Sequence, residues 1–94
     1  MVKNEHIQQI LQRLPEQPGV YQYLNDIGEV IYVGKAKNLK RRVSSYFHKE
    51  QDLYKTKLLV KQIADIRYVV VENEQDAFLL ENNLIKKHQP HYNI

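Results

Sequence analysis

Residues 19–34, GVYQYLNDIGEVIYVG, decide the fold. Two runs rich in β-branched and aromatic residues, 20–24 and 29–33, flank a segment, NDIG, whose composition is typical of a turn. The pattern predicts a β-hairpin. With a loop of NDIG, Tyr21 is expected directly opposite Tyr32. Because opposed residues point to the same face of a sheet, the two phenols should lie side by side.

The rest of the chain indicates helices and a third strand. Four segments have apolar residues at helical spacing: 4–14, 39–47, 53–64 and 74–88. Three of them have an asparagine in position to act as the N-cap: Asn4, Asn38 and Asn73. Residues 66–72, IRYVVVE, have an unbroken apolar centre, which predicts a strand buried on both faces. The order of elements predicts an α/β fold in which one small domain, residues 1–94, has three strands and helices on both faces.

Composition excludes several classes of protein. The chain has 94 residues, of which 43% are hydrophobic, enough for one core. It has no apolar run long enough to span a membrane, and its first residues lack the apolar stretch of a signal peptide. There is no cysteine, so disulfides and thiolate metal sites are excluded. We therefore expect a cytoplasmic protein without a membrane partner.

The net charge of +3 is distributed unevenly. Residues 35–61 contain nine lysines and arginines but only two carboxylates, a net charge of +7. A concentrated basic segment favours a polyanionic partner, most often nucleic acid. A solvated helix face that aids solubility is the alternative, and charge alone leaves both open.

Two charged residues fall on the core-facing side of their predicted helices. Arg42 lies on the apolar stripe of its helix, and Glu81 lies within the apolar arc of the last helix. That arc consists of Ala77, Phe78, Leu80, Leu84 and Ile85. One interpretation is a partly buried salt bridge between Glu81 and Arg42. The other is a shared cleft in which Glu81 holds a divalent cation and Arg42 holds a phosphate.

Longer motifs favour the second interpretation. The triplets GVY (19–21) and YVG (32–34) match the two halves of the GIY-YIG nuclease signature, with valine in place of isoleucine. The match continues through LPEQPGVY (14–21), IYVGKAKNLKRRVSSYF (31–47) and LLENNLIKKHQPHYNI (79–94). Over nearly its whole length the chain resembles the GIY-YIG nucleases, and among them the N-terminal domain of UvrC, the endonuclease subunit of nucleotide excision repair.

The resemblance implies a small GIY-YIG domain with a three-stranded antiparallel sheet flanked by helices. It implies hydrolysis of a DNA phosphodiester with one Mg²⁺ or Mn²⁺ ion, making the incision on the 3′ side of a lesion. UvrB is the implied protein partner, through regions outside this chain, and the domain itself is expected to be monomeric. Two alternatives remain open: a non-catalytic nucleic-acid-binding module, and a GIY-YIG nuclease of another branch.

The resemblance also implies roles for individual residues. Tyr32 would be the general base or would position the attacking water, with Tyr21 hydrogen-bonded beside it. Lys35 would support the ionised phenol or the water, and Arg42 would contact the scissile phosphate. Glu81 would be the only protein ligand of the metal. A phenol has a pKa near 10, and we expect the neighbouring cations to favour the phenolate.

Other residues are implied to bind the substrate. Tyr46 would bind phosphate, and Asn93 would orient groups around it. Gly34 would allow backbone or substrate to approach where a side chain would block it. Four residues that follow the YVG triplet are expected to bind DNA: Lys37, Asn38, Lys40 and Arg41.

Overall fold

The computed structural model describes residues 5–48 and 53–93. The elements are α1 (Glu5–Arg13), β1 (Gly19–Leu24), β2 (Val30–Ala36), α2 (Leu39–His48), α3 (Tyr54–Gln62), β3 (Asp65–Val70), α4 (Glu74–His88) and a C-terminal 3₁₀ turn (His91–Asn93). The predicted order of helices and strands is confirmed. The predicted N-cap at Asn4 lies outside the described residues.

The three strands form one antiparallel sheet in the order β2-β1-β3. The predicted number of strands and their antiparallel arrangement are confirmed. The predicted register of the hairpin is wrong, because Tyr21 opposes Gly34 and Tyr23 opposes Tyr32.

Two local features each move the hairpin register by one residue. The Asn25 N–H donates to the Glu29 carbonyl at 2.9 Å, and Gly28 has a φ of 84°, so the loop has three residues rather than four. A β-bulge next to Leu24 leaves Ile31 as the extra residue on β2. A shift of two preserves the alternation of side chains, so Tyr21 and Tyr32 still share one face, as predicted.

The prediction that residues 66–72 form a strand buried on both faces is wrong. β3 pairs only with β1 and is an edge strand, and Val69 and Val70 are each 44% exposed. α4 packs against β1 and β2 instead, and so leaves this edge uncovered. An unbroken apolar run does not determine where in the sheet a strand lies.

Asparagine caps fix the starts of α2 and α4 as predicted. The side-chain oxygen of Asn38 accepts from the Arg41 N–H at 3.0 Å, and that of Asn73 accepts from the Asp76 N–H at 2.8 Å. The proline-rich loop after α1 provides further acceptors for α2. Its carbonyls at Pro15 and Gln17 accept from the first two N–H groups of α2, which ties this helix to the loop that leads into β1.

Alternation along the strands gives the sheet two different faces. The face that carries Tyr21, Tyr23 and Tyr32, here called the tyrosine face, packs against apolar residues of α1, α2 and α3. The opposite face, here called the aliphatic face, carries Val20 and Val33 and is covered by α4. No helix in the described part of the chain is long and apolar enough to cross a membrane.

Candidate active site

Four tyrosines form one cluster on the tyrosine face. Tyr21 and Tyr23 of β1, Tyr32 of β2 and Tyr46 of α2 have ring centroids 5.1–6.2 Å from their neighbours in the cluster. The Tyr21 and Tyr46 hydroxyl oxygens lie 3.1 Å apart and share a hydrogen bond. A Cβ atom on Gly34 would overlap the Tyr21 ring. The expectation that Gly34 gives access to substrate is therefore revised, since Tyr21 itself fills that space.

Arg42 lies at the rim of the tyrosine cluster. Its Nε donates to the Tyr21 hydroxyl at 3.4 Å, and its guanidinium carbon lies 5.6 Å from the centroid of the Tyr46 ring. Within residues 5–48 and 53–93 it makes no salt bridge with Glu81, so the salt-bridge interpretation is wrong there. Arg42 is an exposed residue held in place by phenols, an arrangement that can receive an anion from solvent.

Glu81 lies on α4 and is half-buried. Its negative charge is the smallest of the influences that raise the pKa of Tyr32. No described residue forms an ion pair or a hydrogen bond with the Glu81 side chain. The predicted apolar arc around it is confirmed except at Phe78, which is 52% exposed. α4 packs on the sheet through the other four residues of the arc, Ala77, Leu80, Leu84 and Ile85.

Burial keeps the Tyr32 hydroxyl protonated. Desolvation, followed by the charge of Tyr46 and a hydrogen bond with it, raises the pKa of Tyr32 to about 12 from an ordinary value of 10.0. Arg42 lowers this pKa but does not outweigh the burial, and Glu81 raises it further. Arg42 thus favours the phenolate, as expected of a neighbouring cation, but burial outweighs this effect and Tyr32 is held as the phenol.

The two tyrosines of β1 are more deeply buried. Burial, with the charge of Tyr46 as a secondary cause, raises the pKa of Tyr21 far above its ordinary value. Burial also raises the pKa of Tyr23, whose hydroxyl has no hydrogen-bond partner among the described residues. Sequence analysis did not include Tyr23 in the site, although its position two residues after Tyr21 places it on the same face.

Asn93 is held against β2 rather than directed at the cluster. Its side-chain oxygen accepts from the Val33 N–H at 2.8 Å, and its side-chain nitrogen donates to the Val33 carbonyl at 2.9 Å. These two bonds pair the outer edge of β2 between Tyr32 and Gly34. The amide thus fixes the strand segment that carries Tyr32.

The cationic residues that the sequence predicted at the site lie at different places on the domain. Lys35 opposes Val20, so it belongs to the aliphatic face and makes no hydrogen bond with a phenol of the cluster. Lys35 and Lys37 line a cleft of about 410 Å³ beside the first turns of α4. The Lys40 ammonium lies 3.4 Å from the Gln12 carbonyl, and Arg41 is exposed. The expected contact of Lys35 with the Tyr32 phenol is thus not formed, because alternation turns the two residues to opposite faces.

A small cavity of about 80 Å³ opens beside Tyr32 and Tyr46. α3 and the C-terminal 3₁₀ turn supply the rest of its lining, including Lys55 and Tyr92. Sequence analysis missed both residues, since only tertiary packing brings them to the cluster. The described residues contain no group of three or more carboxylates and histidines that could hold a metal, so Glu81 is the candidate ligand by itself.

The sequence model of the UvrC-like GIY-YIG domain family matches residues 17–94. The chain belongs to this family. The resemblance to GIY-YIG nucleases of the UvrC type is thereby confirmed. The chain is 65% identical over 91 residues to the UvrABC system protein C of Bacteroides thetaiotaomicron, a match that covers 97% of this chain and 15% of that protein. It is 58% identical over 94 residues to the corresponding Porphyromonas gingivalis protein, covering 100% of this chain and 16% of that protein.

Solved structures show the same UvrC-like GIY-YIG domain. The N-terminal endonuclease domain of UvrC from Thermotoga maritima, bound to magnesium as its catalytic divalent cation, is 40% identical and superposes with a TM-score of 0.85. The match covers 98% of this chain and 100% of that chain. A cation-bound point mutant of the same domain gives a TM-score of 0.86 at 39% identity, covering 98% of this chain and 99% of that one. The predicted three-stranded GIY-YIG fold is confirmed. The chain spans only about 15% of the length of the full relatives.

Proposed function

We propose that this chain is the nuclease domain of a longer UvrC-like protein and hydrolyses a DNA phosphodiester with one divalent cation. The observation that carries the proposal is the cluster of phenols with the exposed Arg42 at its rim. Glu81, a carboxylate with no ion-pair partner among the described residues, would join this site from α4. Arg42, Glu81 and Tyr32 come from α2, α4 and β2, and each retains a group that can face a substrate. The N-terminal endonuclease domain of UvrC from Thermotoga maritima has the same fold and binds magnesium as its catalytic divalent cation.

The residues at this rim fit a magnesium or manganese ion. Glu81 is half-buried and has no cationic partner in the described ranges, so its oxygens are available as ligands. One carboxylate is enough for Mg²⁺, which retains several waters and takes further oxygens from a substrate phosphate. When bound, the ion supplies positive charge that activates water and stabilises oxygens of the phosphate.

The residues of the chain would orient the substrate and the attacking water. Arg42 would bind a non-bridging phosphate oxygen, and its charge would offset the charge that develops there. Tyr46 would donate a hydrogen bond to the same phosphate. Tyr32 is a phenol at neutral pH and would position the attacking water through its hydroxyl. It would act as the general base only as the phenolate, after its own proton had been lost to solvent. Tyr21 would hold Arg42 and Tyr46 in these positions through its hydroxyl.

Other residues would act less directly. Asn93 would position Tyr32 by pairing with the backbone at Val33. Lys35 and the exposed cations that follow it would attract the DNA backbone rather than support the phenol. Four residues make up this proposed DNA-binding segment: Lys37, Asn38, Lys40 and Arg41.

For the longer protein we propose the cytoplasmic role of the UvrABC relatives. It would make the incision on the 3′ side of a lesion in nucleotide excision repair and would interact with UvrB through regions outside this chain. Within it, residues 1–94 would form a monomeric nuclease domain.

The first experiment is anomalous diffraction from crystals of the chain soaked in Mn²⁺, with Glu81→Gln crystals as the matched control. A peak beside the Glu81 carboxylate in the wild type, and none in the variant, is expected. An equal peak in both crystals would contradict the assignment of Glu81 as the ligand. No peak in the wild type at saturating Mn²⁺, together with DNA binding but no cleavage in the assembled repair system, would favour the non-catalytic binding module.

A further inference from the structure

A second groove continues from the small cavity at the tyrosine cluster. It has a volume of about 420 Å³ and lies between α3 and the C-terminal 3₁₀ turn. Its lining is mostly aromatic and apolar, with one lysine: Tyr54, Lys55, Leu58, His91 and Tyr92. None of these residues belongs to the GIY-YIG signature or to the proposed catalytic group.

One wall of this groove is held rigidly. The Gln62 side-chain nitrogen donates to the Tyr92 hydroxyl at 2.6 Å, and the His91 and Tyr92 rings meet edge to face at 5.1 Å. Tyr92 also packs against the core of the tyrosine face. Because its ring is fixed on two sides, it presents a preformed aromatic surface at little further cost in conformational entropy.

The opposite wall is exposed to solvent. Tyr54, in the first turn of α3, is 75% exposed, although a tyrosine ring gains free energy when it is covered. Tyr54 and Tyr92 line the same groove, one exposed and the other fixed. Aromatic side chains in such a groove offer surfaces for flat groups, and nucleobases stack on tyrosine with little dependence on sequence.

The groove adjoins the cavity beside the tyrosine cluster. Lys55 and Tyr92 line both the groove and the 80 Å³ cavity beside Tyr32 and Tyr46. A cationic side chain is thus shared by the cavity at the phenols and the aromatic groove. Positive charge next to aromatic surface suits the alternation of phosphate and base along a nucleic-acid strand.

We propose that the groove between Tyr54 and Tyr92 binds an unstacked nucleobase of the strand that is cut, next to the scissile phosphate. This inference rests on the proposed nuclease function and adds to it a binding subsite. The groove would require the DNA to be locally unpaired or distorted beside the cut, because a base stacked within an intact duplex cannot lie against the aromatic lining of the groove. It would thus contribute to the choice of distorted DNA as substrate.

The test compares two oligonucleotides by NMR titration of the isotope-labelled 94-residue chain. The Thermotoga maritima domain that matches this chain was solved as a chain of the same extent, so the domain folds by itself. One probe is single-stranded hexathymidylate, and the other is a hexamer with the same phosphates but no bases. Both are titrated in metal-free buffer of low ionic strength, which prevents cleavage.

We expect hexathymidylate to shift the ring resonances of Tyr54 and Tyr92 and to bind about tenfold more tightly than the abasic hexamer. Tyr54→Ser should remove this advantage without changing the affinity for the abasic hexamer, whereas Tyr54→Phe should retain it. Ile27→Ser is the matched control, since Ile27 is equally exposed at 75% but lies in the β1–β2 loop. It should leave both affinities unchanged.

Two outcomes would overturn the inference in distinguishable ways. Equal affinity for the two hexamers, with shifts at Arg42 and Tyr46 but none at Tyr54, would rule out the base subsite and leave the nuclease proposal standing. No shift anywhere in the protein at millimolar hexathymidylate would count against the subsite and against DNA binding by this chain.

Discussion

The two faces of the sheet are built from alternate residues of the same strands, yet they serve different purposes. The aliphatic face carries Val20 and Val33 and is closed by Ala77 of α4. The tyrosine face carries buried phenols that contact one another, and Arg42 is exposed at its rim. Both faces bury apolar residues and stabilise the fold, but the tyrosine face also bears the cost of burying hydroxyl groups beside a charged rim.

The two faces meet at β2, which is an edge strand of the sheet. α4 packs on its aliphatic face, and Tyr32 lies on its tyrosine face. The outer edge of β2 is paired by Asn93 rather than by another strand.

The largest expected effect is on catalysis by the tyrosine face. Tyr32→Phe removes the hydroxyl that positions water, and we expect incision by the assembled repair system to fall about 1,000-fold or more, with the fold retained. Glu81→Gln should have an effect at least as large. Single-turnover kinetics measures the incision rate, and circular-dichroism melting curves show separately whether the fold is retained. Wild-type incision by either variant would remove that residue from the mechanism.

A substitution on the aliphatic face should have the opposite consequence. Val20→Ala leaves a cavity at a fully buried position and should lower the free energy of unfolding by about 2 kcal/mol. Mn²⁺ binding at Glu81 should remain as in the wild type below the melting temperature. Urea unfolding and metal titration provide the measurement. Loss of metal affinity in the folded variant would mean that the two faces are not independent.

Asn93→Ala tests the clamp on the edge of β2. It removes two hydrogen bonds with the Val33 backbone, and we expect a loss of about 1–2 kcal/mol in the free energy of unfolding. Asn93→Asp is the matched variant, because it retains the acceptor for the Val33 N–H but loses the donor. Its stability should lie between those of Asn93→Ala and the wild type. If both variants unfold like the wild type, Asn93 does not hold the strand.

The two tyrosines of β1 should respond in opposite directions when their hydroxyls are removed. Tyr23→Phe deletes a buried hydroxyl that has no partner among the described residues and should raise the free energy of unfolding by up to about 1 kcal/mol. Tyr21→Phe deletes the hydroxyl that bonds Tyr46 and Arg42 and should lower it by about 1 kcal/mol. Chemical denaturation of Tyr23→Phe, Tyr21→Phe and the wild type measures the three free energies of unfolding. Destabilisation by Tyr23→Phe would show that its hydroxyl is satisfied after all.

A further expected effect is the pH dependence of the stability that the tyrosine face confers. The pKa of Tyr32 is about 12 in the folded chain, and the ordinary value for the unfolded chain is 10.0. The unfolded chain therefore loses this proton first, so the stabilisation is complete below pH 10 and is lost as the pH rises towards 12. Unfolding measured across this range should be less dependent on pH in Tyr32→Phe than in the wild type. The same pH dependence of the free energy of unfolding in both proteins would contradict the raised pKa of Tyr32.

Much of the fold and part of the site followed from local sequence. The hairpin, the asparagine caps of α2 and α4 and the shared face of Tyr21 and Tyr32 depend on alternation and on capping chemistry, which act over a few residues. The charged residues Arg42 and Glu81 were recognised because they interrupt apolar stripes. The sequence by itself also determined the family, because the motif blocks extend over nearly the whole chain.

Only the tertiary structure decided how these parts meet. A bulge at Ile31 set the register, and the packing of α4 on β1 and β2 left β3 at an exposed edge. Burial determined that Tyr32 is a phenol, because desolvation depends on neighbours that are distant in sequence. Tertiary packing also brought Lys55 of α3 and Tyr92 of the C-terminal 3₁₀ turn to the cavity beside the tyrosine cluster. No local pattern in the sequence predicts this contact.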